Sequence, residues 1–169
     1  MNKLFKRSIF AILNGFILIT SLTACRSITT SNVPVIPVKN VADSGGVVRI
    51  SLPITIHHSH FQYIYYDEQG SSKWETKAVE IFPTDVFISY ASDSQTVSVF
   101  LARSPHMGCL MNWSLEMQTF EDPCFGSRFA LDGSYESGPA PRSLDELPAE
   151  IKDGKIWVTN EVVYGQDHP

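Results

Sequence analysis

Two short segments hold the residue types that a reaction or a metal would need. The first is "SPHMGC", Ser104 to Cys109, and the second is "DPCFGSRF", Asp122 to Phe129. Each has a Pro, a Gly and one Cys, the make-up of a tight loop around a site. Ser104, His106 and Asp122 together have the types of a nucleophile, a base and an orienting acid, or of three ligands for one metal. Nothing in their spacing orders them into those roles. A third segment, "HHSH", places His57, His58 and His60 close together. On a strand, His58 and His60 share a face and His57 lies opposite. Two such imidazoles give zinc or copper two ligands and require a third from elsewhere. Solvent-facing histidines near a strand end are the plainer expectation. A metal carrier or metallohydrolase built on them is the alternative.

The cysteines divide into one and two. Lys3, Lys6 and Arg7 precede a mostly apolar run from Ile9 to Leu22, and "LTAC" ends at Cys25. This is the pattern of a secretory signal over residues 1–24. It resembles the lipobox of bacterial lipoproteins, in which the cysteine is acylated and becomes the first residue. Cys25 is then the lipid attachment point. Each acyl methylene buried in a bilayer contributes roughly 0.8 kcal/mol. Outside the cytoplasm, the remaining pair Cys109 and Cys124 reads as a disulfide. Closing a loop of that size contributes on the order of 3 kcal/mol in the chain-entropy model.

Charge excludes one class of partner. Cutting after residue 24 removes three of the 13 cations and none of the 18 acids, so the mature chain carries a net charge of −8. Such a domain is a poor ligand for nucleic acid or anionic lipid, so attachment falls to the acyl chains.

The elements that must position the loops are strands. "VVRISLPITI" (47–56), "FQYIYYD" (61–67), "VFISYA" (86–91), "VSVFLAR" (97–103) and "KIWVTN" (155–160) are short runs rich in Val, Ile, Tyr and Phe. In 61–66, Phe61, Tyr63 and Tyr65 fall on one face, as core or cross-strand packing requires. Residues 25–46 read as a Ser/Thr/Pro/Gly-rich tether. Within it, "VPVIPVKNV" is either an extended segment or an edge strand, since Pro34 and Pro37 exclude a central one. The sole helical candidate is a short turn at "SLDELPAE". The class is all-β, with a single domain over residues 47–169.

At this point the two loops resemble those of the Rieske iron–sulfur family. That family uses Cys-x-His-x-Gly-Cys and Cys-x-Cys-His-Gly-Ser-x-Tyr/Phe; the first Cys and the His of each loop bind a 2Fe–2S cluster, and the other two Cys form a disulfide. "LMNWS" (110–114) and "LDGSYESGPAPRSLDELPAEIKDGKIWV" (131–158) resemble the family's following segments, including a Gly-Pro-Ala-Pro-Arg third loop. The resemblance implies an antiparallel β-sandwich with a small two-loop subdomain, about 103–142, closed by the Cys109–Cys124 disulfide. Gly108, Gly126 and Ser127 match supporting positions.

The ligand positions depart from the pattern. Ser104 and Asp122 stand where the family has thiolates, and Phe125 where it has an imidazole; His106 alone matches. A Rieske centre takes two thiolates on one iron and two imidazoles on the other. Hydroxyl and carboxylate are hard oxygen donors, and a benzene ring donates nothing. The expectation is therefore no cluster and no other metal. Phe125 would fill the vacated volume, His106 would be hydrogen-bonded or on the surface, and Ser127 would cap loop backbone. The functional expectation is a lipid-anchored accessory or docking module on the extracytoplasmic or periplasmic side, with a protein partner in a membrane complex and no catalysis of its own. The competing expectation is a 2Fe–2S electron-transfer protein of a respiratory or photosynthetic chain or an oxidase.

Overall fold

The computed structural model describes residues 32–168. Residues 1–31, on which the expected signal peptide, Cys25 and the first part of the expected tether fall, lie outside the described residues. In chain order the elements are β1 (Asn32–Pro37), α1 (Val38–Asp43), β2 (Val47–Leu52), β3 (Ile56–Tyr66), β4 (Ser72–Ile81), β5 (Thr84–Ala91) and β6 (Thr96–Leu101). There follow β7 (Asn112–Ser114), β8 (Thr119–Glu121), β9 (Arg128–Phe129), β10 (Tyr135–Ser137), β11 (Ala149–Lys152) and β12 (Lys155–Thr159). They form sheets ordered β1-β12-β11, β2-β5-β6 and β10-β9-β8-β7, together with the β3-β4 hairpin. The class is all-β, as expected.

The β5–β6 pair organises the molecule. Side chains alternate across a strand, so successive residues face opposite sides. Val86 and Ile88 of β5 and Val99 and Leu101 of β6 join one core, with Val41, Ile56, Phe61, Leu147, Ile156 and Val158. Phe87 and Phe100, on the reverse side of the same two strands, join a second core with Met111, Phe120, Phe129 and Ala140. Phe120 sits at its centre, with ring centroids 4.8 Å from Phe87 and 5.7 Å from Phe100. Burying each such ring contributes roughly 1.5–3 kcal/mol. The second core supports β7–β10 and therefore both loops.

Three expectations change. The ordered domain begins by Asn32 and not at Val47: Val33, Val35 and Ile36 pack on the main core and Val41 is fully buried. β1 is an edge strand, the place in a sheet where prolines such as Pro34 and Pro37 are tolerated. Helix α1 then ends where Gly46 N donates to Val41 O, with Gly45 in the left-handed region at φ 89°. "SLDELPAE" forms no helical turn, because its backbone is used laterally: Leu101 N donates to Asp145 O, and Leu147 N donates to Val99 O. Finally, β4 was not expected as a strand at all. Its residues are nearly all exposed, so it has no apolar alternation to read.

Candidate functional site

The two loops share one backbone design. In the first, Ser104 N donates to Cys109 O at 2.8 Å and Gly108 N to Ser104 O at 3.1 Å. In the second, Asp122 N donates to Ser127 O at 2.8 Å and Gly126 N to Asp122 O at 2.8 Å. The first residue of each loop therefore pairs with the fifth and sixth. Gly108 and Gly126 occupy the fifth position at φ 68° and 80°, in the left-handed region that glycine enters without steric cost. The side chain of the first residue finishes the turn. Ser104 Oγ accepts the N–H of His106 at 3.2 Å. Asp122 Oδ1 accepts the N–H groups of Cys124 and Phe125 at 2.9 and 3.1 Å. These are the local side-chain-to-backbone bonds that Ser and Asp favour in turns.

Each loop is anchored to a neighbour. Met107 N donates to Gln62 O and Gln62 N to Pro105 O, which docks the first loop along β3. Ser127 Oγ accepts the N–H of Ala140, fixing the second loop to the Gly-Pro-Ala-Pro-Arg segment. The loops are joined to each other by the Cys109–Cys124 disulfide.

His106 lies between them and is only 3% exposed. Phe125 meets it edge to face at 4.7 Å, and Trp74 of β4 covers it at 5.2 Å. Neither ring nitrogen of His106 has a hydrogen-bond partner, and neither does Asp122 Oδ2. Ser104 and Asp122 are 0% and 1% exposed. Burial pulls the His106 pKa below the ordinary imidazole value, and the nearby Asp122 charge offsets part of that. No hydrogen bond links the His106 ring to Ser104 or Asp122, so the three do not form a proton relay.

Two local expectations are corrected. The His106 ring is neither on the surface nor hydrogen-bonded: Trp74 and Phe125 pack against it and its nitrogens have no partner. Phe125 does not fill a void. It is 44% exposed and caps the imidazole from outside. Trp74 is the residue that sequence reasoning missed. The signal available was "DEQG", a turn between two β-prone stretches: Asp67 Oδ1 accepts Gln69 N and Ser71 N, and Gly70 adopts φ 79°.

The histidine segment is dispersed. His57 lies by Glu80 at 3.5 Å, and His60 Nδ1 meets the Tyr164 hydroxyl at 2.6 Å. The His58 side chain lies outside the described residues. Phe61 and Tyr63 do face the core, and Lys77 sits over Tyr65 at 4.3 Å. Among the described residues, the cluster of metal-ligating types is Cys109, Asp122 and Cys124, whose ligand atoms lie within 4.8 Å of one another.

No family model matches the chain. Among curated proteins, the cytochrome b6-f complex iron-sulfur subunit 2 of Trichormus variabilis is 42% identical over 55 residues, 32% of this chain and 31% of that protein. The chloroplastic cytochrome b6-f complex iron-sulfur subunit of Triticum aestivum is 37% identical over 68 residues, 38% of this chain and 30% of that protein. The chain carries a Rieske-type domain. It spans about a third of the length of the curated relatives it matches. The crystal structure of the plasma membrane Rieske protein PetC3 of Synechocystis aligns with TM-score 0.48 at 21% identity, covering 75% of this chain and 97% of that one.

The donors of this Rieske-type domain do not fit a conventional cluster. Ser104 Oγ and Asp122 Oδ1 are committed to loop N–H groups, and Phe125, which the resemblance matches to an imidazole, carries no donor atom. His106 is left as the single matching donor.

Proposed function

We propose that this chain is a lipid-anchored protein whose Rieske-type domain works without an iron–sulfur cluster, as a binding or structural module on the extracytoplasmic side of a membrane. One observation carries the reading. Each of the three substituted ligand positions has a structural job: Ser104 and Asp122 hold their turns, and Phe125 covers His106. The scaffold persists around them, in the disulfide and in both left-handed glycines. Trp74 is 50% exposed, so it and Phe125 give the apex an apolar surface for a protein partner. The support for attachment through an acylated Cys25 is the "LTAC" pattern that follows the apolar run from Ile9 to Leu22.

The second reading is electron transfer through a 2Fe–2S cluster, and the names of the matched relatives favour it, since they are iron-sulfur subunits of cytochrome b6-f complexes. One preparation separates the two. The full chain is produced in an oxidising compartment and purified in detergent. Iron, acid-labile sulfide, visible absorbance and the paramagnetic spectrum after reduction are then measured. A colourless protein without stoichiometric iron is expected, and two irons per chain with a Rieske-type signal overturn the proposal. Labelled fatty acid is expected to enter the chain, and Cys25→Ser to abolish both labelling and membrane retention.

A further inference from the structure

We propose that reducing the Cys109–Cys124 disulfide turns the apex into a site for one zinc ion, held by Cys109, Cys124, Asp122 and His106. The inference rests on the cluster-free reading above. Three observations lead to it. The two sulfurs and an Asp122 carboxylate oxygen already lie within 4.8 Å of one another. Tetrahedral zinc with Zn–S of about 2.3 Å spaces its ligand atoms about 3.3–3.8 Å apart, so breaking the S–S bond brings the set to working dimensions with small movements. Asp122 keeps Oδ1 on the turn and has a second oxygen, buried and without a partner. His106 is buried beside Phe125, next in sequence to Cys124, with both nitrogens unpartnered, and we assign it the fourth position, which it would reach by a side-chain rotation. Two thiolates, one imidazole and one carboxylate are a zinc set.

The redox step balances with a dithiol as reductant. Its thiolate attacks the sulfur of Cys124, the exposed half of the disulfide. The Cys109–Cys124 bond breaks, and the reductant closes on itself as a disulfide. Two electrons and two protons pass to the protein, which then carries two thiols. Binding of Zn²⁺ releases those two protons, because the ligands are thiolates. Oxidation reverses the sequence and expels the metal, since disulfide sulfurs are no longer thiolates. The site is thus switched by redox state.

The test titrates the full chain with zinc against a chromophoric chelator, before and after reduction by a phosphine that does not bind zinc. Reduced protein is expected to take one zinc per chain at least about 100-fold more tightly than oxidised protein. Cobalt(II) in its place is expected to give thiolate charge-transfer bands and a tetrahedral visible spectrum. Asp122→Asn keeps the turn acceptor and His106→Gln keeps a polar ring-sized group; each is expected to weaken zinc at least about 10-fold. Equal affinity in the two redox states overturns the site, as does a cobalt spectrum lacking thiolate bands. If reduction alone abolishes the near-ultraviolet circular dichroism, zinc must restore it, and failure to do so also overturns the site. Iron and sulfide are assayed in the same samples. Their presence overturns the cluster-free reading and the zinc site with it, whereas a colourless chain that ignores zinc when reduced overturns the zinc site alone.

Discussion

Asp122 shows how one buried carboxylate can stabilise a tight loop. Its Oδ1 accepts two turn N–H groups while Oδ2 stays buried. Asp122→Ala leaves both N–H groups without an acceptor and is expected to cost about 1–3 kcal/mol in urea unfolding of the oxidised protein. Asp122→Asn retains the acceptor and should cost less. His106 predicts a pH dependence. Burial lowers its pKa in the folded state, so between that value and the unfolded value of about 6.5 the unfolded chain binds more protons. Stability therefore rises with pH through this window. In metal-free, oxidised protein it is expected to fall as pH drops below about 6.5 and to level off below the folded-state value. Comparing urea midpoints across this range, His106→Gln should flatten that part of the curve. These roles follow from residue type only in part: Asp and Ser at the head of a Pro-Gly loop signal a turn, but the burial of His106 depends on Trp74, which is remote in sequence.

At the scale of elements, the loops are stamped from one pattern and differ in what surrounds them. Gly126 has open space where a Cβ would go, and only its φ of 80° opposes a side chain. Gly126→Ala is expected to cost about 1–2 kcal/mol. Gly138, at φ 101°, would place a Cβ 2.5 Å from Ser127 Cα. That obstacle is backbone, so Gly138→Ala must displace the second loop and is expected to cost clearly more than Gly126→Ala, measured as the difference in thermal unfolding midpoint. The β3–β4 hairpin belongs to this scale too. Its β3 strand was legible from Phe61, Tyr63 and Tyr65. Its β4 strand was hidden because residues 72–78 are all exposed and held by backbone pairing to β3, which leaves no hydrophobic period over that stretch.

Over the whole molecule, the β5–β6 wall couples body and loops. Phe87 faces only the loop-bearing core, so Phe87→Ala is expected to cost about 3–5 kcal/mol. Hydrogen exchange should accelerate first in residues 104–142, while β1, β11 and β12 stay protected. The sequence by itself determined the all-β class, the two loops, the disulfide partners and which donor atoms Ser104, Asp122 and Phe125 can offer, since each is a matter of local propensity or of which atoms a side chain carries. It did not determine where the ordered domain begins. That followed from a buried Val41 and an edge strand paired with residues far along the chain. Nor did it determine the surroundings of His106. Burial and hydrogen-bond satisfaction are properties of what long-range packing brings together, and here packing set Trp74 of a distant hairpin over a histidine whose nitrogens have no partner.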